Sequence, residues 1–160
     1  MKPFTKPPDT LVIHSTGSPN GQIQTVAQIR AYHMAPQPKG RGFSDIGYHW
    51  VIGVDGKRYP GRPTMFTGAH VKTDNSHTLG MSLVGTDKFT KAQWEELAAA
   101  VVQIMEEFPS IKKVCGHRDY SPDLNHNGTI ENFEWIKICP SFDVSAWLKS
   151  GMQPIASQTL

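Results

Sequence analysis

Two apolar runs in this sequence end on a histidine. Leu11-Val12-Ile13 leads into His14, and Lys113-Val114-Cys115-Gly116 leads into His117; a cysteine, Cys139, stands directly before Pro140. The ends of strands are where a sheet holds side chains rigid while loops keep them accessible. Two imidazoles and a thiolate make a three-ligand set with a fourth position left for water, which is the pattern of catalytic zinc. A structural site would take a fourth protein ligand at short spacing, and the sequence has no CxxC. Spacing alone favours the other description, two satisfied core histidines and a small buried thiol. The three residues lie 103 and 22 positions apart, and seven histidines offer many triplets.

A second stretch has the residue types of an ion site. Asp123-Leu124-Asn125-His126-Asn127-Gly128-Thr129 running to Glu134 follows the calcium-loop pattern D-x-[DN]-x-[DN]-G-x5-E. Asp123, Asn125 and Asn127 fill positions 1, 3 and 5, the Thr129 carbonyl position 7 and Glu134 position 12, with Gly128 at the sharp turn. Ser121-Pro122 leaves no room for an entering helix, and only two of these ligands are carboxylates, so a calcium site here has modest affinity. The alternative is an Asn/Gly-rich surface turn.

The elements that must hold these residues can be read from periodicity and caps. Leu11–Ile13 predicts a buried strand broken by Ser15-Thr16-Gly17-Ser18-Pro19. Thr25 to Met34 reads as a helix, with Thr25 and Gln28 at capping-box spacing and Val26, Ile29 and His33 on one face. Ile46 to Val54 predicts a strand that turns at Asp55-Gly56 into a hairpin, and Met81 to Val84 a further strand. Thr90 to Phe108 is the clearest helix. Thr90 and Gln93 box its start, Trp94, Leu97, Ala98, Val101, Met105 and Phe108 form its apolar stripe, and Pro109 ends it. Ile111 to Cys115 predicts another strand, Phe133 to Ile138 a helical turn and Val144 to Leu148 a last short helix. Cys115, His33 and His49 read as packing residues. The fold class is α/β, a mixed central sheet flanked by helices.

Bulk properties bound the function. The 160 residues suit one domain: an arm over 1–9, a body over 10–150 and a flexible tail over 151–160. A net charge of +2 gives no basic stripe for nucleic acid. The N-terminus has no apolar h-region, so no signal peptide is expected, and no run is long enough to insert in a membrane. In a reducing cytoplasm the two cysteines read as thiols or ligands rather than a bridge.

Six short pieces, in order, resemble the zinc-dependent N-acetylmuramoyl-L-alanine amidases, which share a fold with peptidoglycan recognition proteins. They are Val12-Ile13-His14-Ser15-Thr16, Asp45-Ile46-Gly47-Tyr48-His49-Trp50-Val51-Ile52, Gly61-Arg62-Pro63, Gly68-Ala69-His70, Gly116-His117-Arg118-Asp119 and Lys137-Ile138-Cys139-Pro140. The likeness is strongest to single-domain phage endolysins. It implies zinc on His14, His117 and Cys139, with Tyr48 and Lys137 as catalytic side chains; on the residues alone these two read as a half-buried strand tyrosine and a solvated lysine. It places His70 in the groove near the metal, to contact substrate, to orient a ligand or to serve structure. It implies a monomeric cell-wall hydrolase acting on peptidoglycan, waiting in the host cytoplasm until lysis. Recognition proteins that only bind lack the cysteine ligand, and Cys139 is present. Some phage amidases also inhibit an RNA polymerase, but no residue pattern here points to such a surface.

Overall fold

The computed structural model describes residues 1–160. Five strands form one sheet: β1 (Thr10–Ser15), β2 (Trp50–Ile52), β3 (Arg58–Pro60), β4 (Thr78–Leu83) and β5 (Lys113–Gly116). Their order is β3-β2-β4-β1-β5. β1 lies between β4 and β5 and runs parallel to both; β2 is parallel to β4 and antiparallel to β3. The sheet is therefore mixed, as expected, and His14 stands near the end of β1, one of its inner strands.

Alternation along the central strands separates two faces. Leu11 and Ile13 of β1 and Leu79, Met81 and Leu83 of β4 meet α2 (Lys91–Glu107) and α3 (Val144–Lys149) in the main core with Trp94, Leu97, Val101, Ile104 and Trp147. Val12 faces the other way, against Val71 and Cys115. His14, two residues on, shares that face. α1 (Val26–Met34) closes a smaller cluster of Ile29, Ile46, Val51 and Val84. Each fully buried side chain of this kind stabilises by roughly 1.5–3 kcal/mol.

Both helix starts form as the spacing predicts: Thr25 with Gln28, and Thr90 with Gln93, are complete capping boxes. Gln93 does more. Its amide also donates to the carbonyls of Ile52 and Val84, tying the start of α2 to the ends of β2 and β4. The buried stripe of α2 runs through Gln93, Trp94, Leu97, Ala100, Val101 and Ile104. The expected Met105 is instead 38% exposed, because the helix turns Ile104 rather than Met105 to the sheet.

A further expectation is corrected, and both termini take defined places. The strand over Ile46–Val54 shortens to Trp50–Ile52. Its first residues leave the ladder because Gly47 donates to His33 Nδ1 (2.9 Å) and the Ile46 carbonyl accepts from Arg62 (2.8 Å). The N-terminal arm is docked: Phe4 packs on the core and donates to the Met65 carbonyl, and Pro3 bridges Phe66. The tail is docked too. Met152 and Ile155 pack on the core, Gln158 accepts from Phe89, and Leu160 donates back to Phe89. In both termini a few apolar side chains among prolines and polar residues find the edge of the core, which composition does not reveal.

Candidate active site

His14, His117 and Cys139 converge. Their ligand atoms all lie within 4.8 Å of one another, and Cys139 Sγ is 3.7 Å from His14 Nδ1. Each comes from a different kind of element. His14 is the fifth residue of β1 and only 1% exposed. His117 opens a 3-10 turn, His117–Tyr120, immediately after β5. Cys139 lies in the loop before α3, held by the backbone: its carbonyl accepts from Arg118 (2.8 Å) and its sulfur accepts from Ser15 N–H (3.1 Å). Asp119 fixes the turn by accepting from Gly116 N–H (2.8 Å).

These residues open onto a groove of about 380 Å³, whose walls also include Tyr48, Lys137, His70, Arg41 and Phe43. Six of the expected site residues, 14, 48, 70, 117, 137 and 139, thus meet in one place. The Tyr48 ring sits 5.2 Å from that of His14. Burial, and then Cys139, raise the Tyr48 phenol well above its ordinary range, so it stays protonated at neutral pH. Lys137 is exposed at the rim beside His117.

Burial holds the histidines neutral. His14 lies well below the ordinary imidazole value, pushed by burial and then by His70 and His117; His117 is pushed to about 4 by burial and then by the charge of Lys137. Burial also raises the Cys139 thiol. Neutral imidazoles with free lone pairs are the metal-ready state, and a bound cation reverses the sign for the thiol by favouring thiolate.

His70 lines the groove but is 8% exposed, and its ring nitrogens face His14 (2.9 Å) and the Thr78 hydroxyl (3.4 Å). The expected substrate contact therefore has no free polar ring atom to make it. His49, as expected of a packing residue, is buried and bonded at both nitrogens, to Gly80 N–H and the Phe66 carbonyl, each 2.9 Å. His33 likewise accepts from Gly47. Cys115 is 4% exposed in the small cluster with Val12 and Val71.

Arg62, the middle residue of the Gly61-Arg62-Pro63 piece, has a structural role. Its side chain is 5% exposed and donates to the carbonyls of Ile46 (2.8 Å), Thr67 (2.8 Å) and Asp45 (3.1 Å). It pins the segment that carries Tyr48. The arginine between Gly61 and Pro63 is the only sequence signal of it.

The Asp123–Glu134 stretch folds as one closed loop outside the groove. Asp123 accepts from Gly128 N–H (2.7 Å) and Asn127 N–H (3.2 Å), and Glu134, 3% exposed, accepts from Leu124, Asn125 and Glu131. Gly128 has φ 84°, where a side chain would be strained. The segment after it is tied back by Ile136 N–H to Ser121 and by the Arg118 guanidinium 4.2 Å above the Trp135 ring. It leads directly to Lys137 and Cys139.

Known proteins resemble this chain in sequence and in fold. A family profile for N-acetylmuramoyl-L-alanine amidase matches residues 4–130. The endolysin of Escherichia phage T7 is 30% identical over 147 residues, covering 87% of this chain and 84% of that one. The solved N-acetylmuramoyl-L-alanine amidase LysC from Clostridium intestinale superposes with a TM-score of 0.69 at 26% identity, covering 91% of this chain and 85% of that one. Bumblebee peptidoglycan recognition protein SA has the same fold, with a TM-score of 0.71 at 19% identity over 98% of this chain and 89% of that one. By sequence and by fold, the chain belongs to the N-acetylmuramoyl-L-alanine amidase family.

Proposed function

We propose that this protein is a zinc-dependent amidase of the bacterial cell wall, cutting between the lactyl group of N-acetylmuramic acid and the L-alanine of the stem peptide. The observation that carries the reading is the convergence of His14, His117 and Cys139 in a groove shared with Tyr48 and Lys137. The donor set fits zinc. Two ligands at Zn–N and Zn–S distances of about 2.0 and 2.3 Å and a tetrahedral angle stand roughly 3.5 Å apart, and His14 Nδ1 and Cys139 Sγ are separated by 3.7 Å. Three protein ligands leave a position open.

When bound, zinc supplies a water of pKa about 7 and polarises the scissile carbonyl. The chain supplies the rest. Lys137 offers a cation to the oxyanion that develops on that carbonyl. Tyr48, held protonated, orients the attacking water by hydrogen bonding and holds a proton beside it. His14 and His117 stay neutral and keep their lone pairs for the metal. The likeness to phage endolysins supports a use in lysis, by a monomer that collects in the host cytoplasm and then reaches the wall. No helix is long and apolar enough to cross a membrane.

The test is turnover of purified peptidoglycan, read by mass spectrometry. New L-alanine N-termini on an intact glycan are expected. A chelator abolishes the activity and zinc restores it in the parent, while Cys139→Ala stays at least ~10³-fold down with zinc added. Full activity in Cys139→Ala overturns the reading. Binding to the wall without any release of peptide identifies a recognition module instead.

The closed loop of Asp123, Asn125, Asn127, Thr129 and Glu134 is proposed to take calcium with modest affinity and so to steady the segment that delivers Cys139. At a hundredfold excess over Kd, calcium adds about 2.7 kcal/mol, or roughly 5–10 °C of Tm for a domain of this size. Zinc-loaded protein that shows no shift at millimolar calcium removes the idea.

A further inference from the structure

His14 has two ring nitrogens and both have a partner. Nδ1 faces Cys139 Sγ at 3.7 Å, and Nε2 lies 2.9 Å from His70 Nδ1. A neutral imidazole carries one N–H. For Nδ1 to offer its lone pair to a metal, the His14 proton must sit on Nε2 and be donated to His70 Nδ1. His70 then carries its own proton on Nε2, which faces Thr78. The Thr78 hydroxyl lies 3.4 Å away and donates onward to the Asp74 carbonyl at 2.8 Å, so its lone pairs are free to accept. Every proton along His14, His70, Thr78 and Asp74 has one place.

The fold braces this arrangement. His70 N–H and Val71 N–H both donate to Asn75 Oδ1, at 2.9 and 3.0 Å. Glycines make the space for the ring: a Cβ at Gly80 would lie 2.7 Å from it, and one at Gly68 2.4 Å. Thr78 and Gly80 stand on β4, whose Ser82 pairs with His14 in the parallel ladder, so the sheet itself fixes the distance between them.

We infer that His70 is a positioning residue for the metal centre: it locks His14 as the Nε2–H tautomer and points Nδ1 at the ion. The inference rests on the zinc reading and deepens it. A ligand histidine whose other nitrogen is anchored binds more tightly because its ring need not be ordered by the metal.

The test has two readouts besides activity. Zinc affinity is measured by competition with a chromophoric chelator for the parent, His70→Leu and His70→Asn. His70→Leu fills the space without an acceptor and is expected to bind about 10–100-fold more weakly. His70→Asn, whose Oδ1 replaces the accepting Nδ1, is expected to recover most of that loss. In zinc-loaded parent, ring ¹⁵N–¹H correlations are expected to show both His14 and His70 protonated at Nε2. Parent-like affinity in folded His70→Leu, or a His70 proton on Nδ1, overturns the inference. Should His70→Leu fail to fold, the tautomers in the parent decide alone. A parent that does not bind zinc brings down the zinc reading itself, and this inference with it.

Discussion

At the scale of single residues, the groove separates groups that do chemistry from groups that keep shape. Tyr48 and Lys137 both line it, but they differ in environment: the Tyr48 ring is packed between those of His14 and His33, while Lys137 is exposed at the rim. Their removal should separate rate from stability. Tyr48→Phe keeps the ring and its packing and loses only the hydroxyl, and is expected to lower kcat about 10²–10⁴-fold. Lys137→Met should lower kcat about 10²–10³-fold and, at an exposed position, move stability by less than about 0.5 kcal/mol. Steady-state kinetics on solubilised wall, paired with thermal unfolding, checks both. A Lys137→Met variant that loses substrate affinity but keeps kcat would assign the lysine to binding.

At the scale of elements, what matters is how a short strand and two loops are held in register with the central sheet. β2 has three residues, and the segment before it carries Tyr48 without a ladder of its own. Scattered backbone bonds hold it, among them Arg62 N–H to the Tyr48 carbonyl and Ala69 N–H to the Gly47 carbonyl, and the Arg62 side chain adds donations to the carbonyls of Asp45, Ile46 and Thr67. Replacing it leaves three acceptors without their donor at once, the Ile46 carbonyl buried and those of Asp45 and Thr67 partly so. Arg62→Met is expected to destabilise by about 2–4 kcal/mol, since bonds from a charged donor are worth roughly 1.5–3 kcal/mol each and are not additive. It should also depress activity in the molecules that remain folded, because Tyr48 loses its anchor. Denaturant unfolding together with kcat measured below the transition separates the two effects; an unchanged midpoint would remove the structural role.

At the scale of the whole molecule, buried neutral histidines make stability depend on pH. His33 and His49 are both pushed down to about 4, first by burial; His33 also feels Arg41 and Arg62. In the unfolded chain each titrates near its ordinary value of about 6.5. Between those values the unfolded state binds more protons than the folded state, so stability falls as the pH drops from about 6.5 to about 4. Each histidine contributes a slope of up to about 1.4 kcal/mol per pH unit. The site histidines 14, 70 and 117 carry the same sign, so the informative quantity is a difference. His33→Asn keeps an acceptor for Gly47 N–H and cannot titrate, and its Tm should fall less steeply than the parent's over this window. Parallel curves would show that His33 contributes nothing to acid lability.

What depends on near neighbours is legible in the order of residues alone. Both capping boxes, the hairpin, the positions of the helices and the strands that lead to His14 and His117 follow from spacings of two to four residues, which the backbone reads locally. The sequence also carried the ordered motifs that made a zinc site of His14, His117 and Cys139 an expectation, although their spacing did not. The tertiary structure decided what depends on distant pairs. His14 meets Cys139 and His70 across 125 and 56 positions, and Arg62 reaches Ile46 across 16. The arm and tail lie down on the core through Phe4, Met152 and Ile155, and α2 turns Ile104 rather than Met105 inward. None of these leaves a periodic trace, because a contact made through the sheet is set by which strands lie side by side. That order, β3-β2-β4-β1-β5, exists only once the chain has folded.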